Sequence, residues 1–209
     1  MALALVGYCR QSTAGYFQFS TTTTIGDVAP SIVTNNNTDF VTVTTPAGTD
    51  IQFTGLATIG PENLVGIDGG TDLVFGLINL MVVNATPQQS ISIPFTFNVT
   101  ITDFVGDTTL SPSTGSGTFT VNGLLQGTIG AGRKAIWDSI VVDPVAPILI
   151  GTELYSMEFN TIVPPGPFFP GAIGARVAIV PEPATCAMLG LGLVGIAVPA
   201  FRRWRRKSA

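Results

Sequence analysis

The chain has 209 residues, no histidine, two cysteines and a formal net charge of −4. Without an imidazole it can build neither a Ser-His-Asp nor a Cys-His nucleophile, and the usual catalytic zinc sites are closed to it. All thirteen acidic residues lie within residues 1–182 against four basic ones, a net of −9 that argues against nucleic acid as a partner.

Residues 2–7 are an apolar run, and Ser12-Thr13-Ala14 has the small-x-small pattern of a signal-peptidase site. The run is short and has no basic residue before it, so residues 1–14 read as the remainder of a signal peptide that begins upstream. A core strand starting at Met1 is the competing reading. A lipoprotein site at Cys9 fails because bulky Tyr8 stands where a small residue belongs. Residues 15–179 then form one domain of ordinary size. Cys9 and Cys186 both fall outside it, so it has no disulfide and no thiolate metal site.

Nine segments rich in Val, Ile, Phe and Thr predict strands at 16–24, 39–45, 51–58, 73–83, 90–101, 117–125, 136–142, 154–161 and 174–180. Turn clusters separate them, among them Pro46-Ala47-Gly48, Gly60-Pro61-Glu62-Asn63 and the polar turn Asn35-Asn36-Asn37-Thr38. Alternation is strict in Ile91, Ile93, Phe95, Phe97, Val99 and Ile101, which places those six side chains on one buried face. Pro94 lacks an amide donor, so this strand is expected at a sheet edge or at a bulge. Residues 111–117 read as a flexible hairpin or insert, and 164–171 as a stiffer proline-rich crossing. Many short strands with Gly/Pro turns and few helix formers predict an all-β fold, a two-sheet antiparallel sandwich of jelly-roll or immunoglobulin-like topology.

Within that frame the candidate binding features are few. Asp68 and Asp72 flank the turn Gly69-Gly70-Thr71 and are the candidate metal ligands, for calcium held by carboxylates and backbone carbonyls. An ordinary turn with solvated aspartates is the simpler reading. Asp103 and Asp107 bracket a second turn in the same way. Phe168 and Phe169 would form either an exposed aromatic platform or, more simply, a plug folded onto the core.

The C-terminus carries the sharpest pattern. Val180-Pro181-Glu182-Pro183 leads into residues 184–201, eighteen residues without a charge, and then into Arg202, Arg203, Trp204, Arg205, Arg206 and Lys207. As a helix, eighteen residues span roughly 27 Å, enough for a thin hydrocarbon core. Gly190, Gly192 and Gly195 suit a membrane helix better than a soluble one, and Pro199 falls in its last turn. The basic stop places the terminus in the cytoplasm and the domain outside. A buried C-terminal helix is the alternative, and the cluster of five cations disfavours it.

This arrangement resembles the PEP-CTERM sorting signal of bacterial envelope proteins, over residues 180–209 only. The resemblance implies an exosortase-like membrane enzyme as partner, with Pro181, Glu182 and Pro183 as the recognised core and removal of the membrane helix on processing. Two prolines keep the segment extended, a shape that a groove binds at little entropic cost. The domain is then expected to be a non-enzymatic structural or binding protein of the cell surface or extracellular matrix, without a cofactor, in contact with neighbouring proteins or extracellular polysaccharide. The alternatives are a calcium-assisted carbohydrate-binding module and a two-carboxylate glycan hydrolase.

Overall fold

The computed structural model describes residues 16–29, 31–57, 62–63, 70–82, 88–104, 113–129, 135–151, 153–166 and 169–180. They form twelve strands: β1 (Tyr16–Ile25), β2 (Ile32–Thr34), β3 (Phe40–Thr44), β4 (Asp50–Gly55), β5 (Glu62–Asn63), β6 (Thr71–Val82), β7 (Gln89–Phe104), β8 (Ser113–Ile129), β9 (Ala135–Val142), β10 (Ile148–Ile150), β11 (Glu153–Val163) and β12 (Gly171–Val180). One sheet has the order β5-β1-β7-β8-β9 and the other β10-β11-β12-β6-β4-β3-β2, with every pairing antiparallel. All nine segments predicted as strands are strands. No helix among the described residues is long and apolar enough to cross a membrane, and residues 181–209 lie outside the described set.

The two sheets face each other across a core that period-2 alternation generates directly. The six apolar side chains from Ile91 to Ile101 on β7 are all buried, as are Phe119, Val121 and Leu125 on β8. Val41, Val43, Ile51, Phe53, Phe75, Ile173 and Val177 answer them from the second sheet. Aromatic rings bridge the gap: Phe53 meets Phe95 at 5.6 Å, and Phe75 meets Phe97 edge-on at 5.9 Å. Glycines make room for these rings. A Cβ at Gly123 would lie 2.3 Å from the Phe95 Cζ, and one at Gly76 would lie 2.7 Å from the Phe97 Cζ.

The structure corrects three expectations about the chain's course. The strand containing Pro94 is not an edge but lies between β1 and β8. The Pro94 carbonyl accepts from the Gly26 N–H at 3.0 Å, so its nitrogen points to the same side, where β1 has just ended. In an antiparallel ladder one residue's N–H and C=O face one neighbour, so a single bond is forgone at a strand end. Of the expected hairpin at 111–117, residues 113–117 are instead the start of β8, and Glu62-Asn63 is a short strand rather than a turn. Gly115 and Gly117 explain the first of these changes. A Cβ at Gly117 would meet Ile150 and Ile148 at 2.8 and 2.9 Å, so the small residues let β10 pack against β8.

On the opposite side the sheets meet at a seam along β1. Strand β5 covers only Tyr16 and Phe17, and the turn at 35–38 covers the far end. Asn35 and Asn37 adopt positive φ there (56° and 65°), a conformation that asparagine tolerates. That geometry turns the Asn36 amide onto β1, where it accepts from the Ile25 N–H at 2.7 Å and donates to the Ile25 carbonyl at 3.1 Å. The side chain thus substitutes for a neighbouring strand, and Thr23 completes the cover by bonding to Thr38 and Asn37. Gly55 abuts this seam, with the Thr21 carbonyl oxygen 2.3 Å from where a Cβ would stand. The inward threonines at 21 and 23 are buried, and their hydroxyls have no hydrogen-bond partner.

Two substitutions test the seam by urea unfolding. Asn36→Ala leaves the Ile25 groups unpaired and is expected to cost about 1–3 kcal/mol. Thr23→Val keeps the shape, removes a buried unpaired hydroxyl, and is expected to stabilise by about 1 kcal/mol.

Candidate functional site

The strand ends gather at two poles, and the sequence motif leaves from one of them. Tyr16 at the start of β1 pairs with Phe104 and Asn63, and Phe104 pairs with Ser113. In the second sheet Ile150 pairs with Glu153 and Leu154 with Val180. Gly115 joins the two sets, since a Cβ there would lie 3.1 Å from the Gly151 nitrogen. The first described residue, Tyr16, and the last, Val180, therefore emerge on the same pole.

Inside this pole the row Phe17, Asp103, Gly115 of one sheet faces the row Ile148, Tyr155, Ile179 of the other. Tyr155 is fully buried, and Asp103 is only 7% exposed. Burial holds the Tyr155 phenol far above its ordinary pKa of 10.0, and the negative charges of Asp103 and Glu153 push it further in the same direction. The Phe104 N–H donates to the Asp103 carboxylate at 2.9 Å. The sequence places Asp103 in a solvated turn, but the structure continues β7 through it and turns it inward. The only signal in the sequence was its parity with Ile91 to Ile101, two residues beyond the last apolar position. A carboxylate enclosed in this way, facing a neutral phenol, ties the sheets together instead of opening onto a cleft.

The outer surface of the same pole changes character row by row. Leu149, Leu154 and Val180 are register partners across β10, β11 and β12 and share the outward face; Leu149 is 67% exposed. The next row is Ser156 and Ala178, and the one after it is Glu158, Arg176 and Asp72. Cross-strand opposite charges of this kind favour the pairing.

Asp72 is therefore part of a surface row on β6, where it also accepts from the Asn160 side chain at 2.7 Å. Its companion candidate Asp68 lies outside the described residues, as does Asp107. Among the described residues no group of three or more His, Cys, Asp or Glu side chains could hold a metal ion. Phe169 is not a core plug. It is 58% exposed and lies flat over Gly166, whose Cβ would stand 2.3 Å from the ring; Phe168 lies outside the described residues. Of the motif residues only Val180 is described, while Pro181, Glu182, Pro183 and the basic stop from Arg202 to Lys207 lie beyond it.

The other large surface is the outward face of β1, β7 and β8. Over residues 18–24, 90–102 and 116–128 it presents mainly Ser, Thr, Asn and Gln, with Pro94 and Leu124 among them and no carboxylate or basic side chain, and its polar groups pair across strands. Thr96 donates to Asn122 at 2.9 Å, Thr120 donates to Asn98 at 3.2 Å, and the Thr100 and Thr118 hydroxyls lie 2.9 Å apart.

A family model described as the PEP-CTERM protein-sorting motif matches residues 180–207. No curated protein and no solved structure matches the chain. The match begins on Val180, the last residue of β12, so the motif starts inside the folded sheet.

The buried phenol makes a prediction about pH. A group whose pKa is raised on folding contributes stability that is complete below its unfolded value and lost above it. Unfolding free energy is therefore expected to fall above about pH 10, with a slope approaching about 1.4 kcal/mol per pH unit from this one proton. Urea midpoints of the parent and Tyr155→Phe between pH 9 and 11.5 measure the difference; parallel alkaline limbs would contradict the assignment.

Proposed function

We propose that this is an exported β-sandwich protein of a bacterial envelope, passed through its C-terminal segment to an exosortase-like membrane enzyme. After trimming, the domain serves as a structural or binding component of the cell surface or extracellular matrix. The observation that carries this reading is the sorting motif at residues 180–207, which begins where β12 ends. The sequence order after it supports the membrane part: extended prolines, an uncharged stretch of membrane length, and a cluster of cations.

The proposal assigns the domain no catalytic step. A two-carboxylate hydrolase needs paired carboxyl groups across an open groove, and Asp103 is enclosed. A calcium-assisted module is not favoured either, because Asp72 already bonds to Asn160 and stands opposite Arg176. The uncharged face on β1, β7 and β8 supports contact with a neutral, hydroxyl-rich polymer such as extracellular polysaccharide. Its side chains are held by their own cross-strand bonds, so ordering them on binding costs little entropy.

Intact mass of the protein recovered from the host envelope and medium tests the proposal. A mature chain ending near Pro183 is expected, and Glu182→Ala is expected to accumulate the unprocessed form. A mature mass that retains Arg202 to Ala209 in the parent would make the tail a lasting anchor and end the sorting reading.

A further inference from the structure

We infer that the outward row Leu149, Leu154 and Val180 is a lipid-contact surface, which seats the domain on the outer leaflet of the membrane while the C-terminal segment is still attached. The inference rests on residues 184–201 being membrane-inserted, as proposed above, and adds which face of the domain meets the lipid.

Tether length is the first argument. Val180 is fixed in β12 by its pairing with Leu154, and the uncharged stretch begins at residue 184. Four residues of fully extended chain reach roughly 14 Å. The polar headgroup region on each side of a bilayer is about 5–8 Å thick. The end of β12 therefore cannot stand clear of the membrane by more than the width of a few water layers. Whatever the domain presents beside Val180 is held at the interface.

The outward row that it presents there is apolar, with half-exposed Glu153 beside it on the opposite parity. Among the described residues Leu149 is the most exposed of the large hydrophobic side chains, at 67%, and it continues the Leu154–Val180 pair outward to the last strand of the sheet. Ile148 and Ile150 on either side turn inward to the core, which leaves Leu149 on the outward face. Alternate residues along a strand are about 6.6–6.8 Å apart. The charged row of Glu158, Arg176 and Asp72 thus lies about 13 Å from the apolar one, with Ser156 and Ala178 between them. A surface that passes from apolar to small to charged over that distance matches the polarity gradient from the acyl boundary, through the headgroups, to water. The start of β1 lies on the same pole.

Tryptophan quenching in vesicles tests the inference with the full-length chain. Phosphatidylcholine brominated on the upper acyl carbons quenches indole rings that reach the acyl boundary. The Trp137→Phe variant leaves Trp204 in the basic stop as a report on the C-terminal segment. A Leu149→Trp change made together with Trp137→Phe and Trp204→Phe reports on the row, and Ile32→Trp in the same background reports on an exposed site at the far edge of the same sheet. The expected result is that brominated lipid lowers the emission of Trp204 and of position 149 by at least half and leaves position 32 unchanged. Quenching of Trp204 with none at 149 would overturn the inference and leave the membrane segment standing. Equal quenching at 149 and 32 would overturn it as well, since contact would not be confined to the row. An unquenched Trp204 would remove the premise and the inference together. Leu154→Trp in the same background repeats the measurement should the change at 149 disturb the hairpin.

Discussion

The fold depends on large core rings meeting missing side chains, one in their own sheet and one in the facing sheet. Phe95 and Phe97 project from neighbouring inward positions of β7, and each needs space that only a glycine provides: Gly123 beside it in the same sheet, Gly76 in the other. Packed sheets stand about 10 Å apart. At that spacing the rings of facing sheets touch, and a Cβ at either glycine would collide with Phe95 or Phe97. The pairing of rings with glycines also fixes registration. Sliding β7 by two residues against β8 would keep every inward residue inward, yet would set Phe97 opposite Gly123 and Phe95 opposite Leu125. Alternation chooses the face, and the glycines choose among the registers that alternation allows.

The seam along β1 answers a different demand. A sandwich has open edges, and this one closes one of them by bringing β1 of the first sheet against β3 and β4 of the second. Close approach favours small groups, which accounts for Thr21, Thr23 and Gly55 where the rest of the core is built from Ile, Val and Phe. Buried hydroxyls without partners are the cost of that choice. The Asn36 amide then covers backbone that no strand reaches.

Much of this was legible in the sequence, and the parts that were not share a cause. Strand positions follow from local alternation and turn chemistry, so all nine predicted segments recur. β6 alternates poorly because Phe75 is the extra residue of a bulge, with Gly76 and Val74 pairing to consecutive residues of β12; both Phe75 and Gly76 face inward. The placement of Pro94 depended on where β1 ends, some seventy residues earlier in the chain. Asp103 was misread because its environment comes from Tyr155 in the other sheet. Gly76, Gly123 and Asn36 likewise act on residues far away in sequence, and no local pattern reveals that. The C-terminal motif was readable for the opposite reason: its meaning lies in contiguous composition, and the match at residues 180–207 agrees with it.

The position of β12 also has a mechanical side. It is an interior strand, flanked by β11 and β6, and the tether continues from its end at Val180. Ladder bonds in an antiparallel sheet run perpendicular to the strands. A load between the tether and anything gripping the opposite pole is therefore directed along β12 and is shared by its bonds to both neighbours at once. An edge strand loaded from its side would open one bond at a time, as a zip does. The chain beyond Val180 thus pulls on a strand held from both sides, whose bonds must fail together and not in sequence.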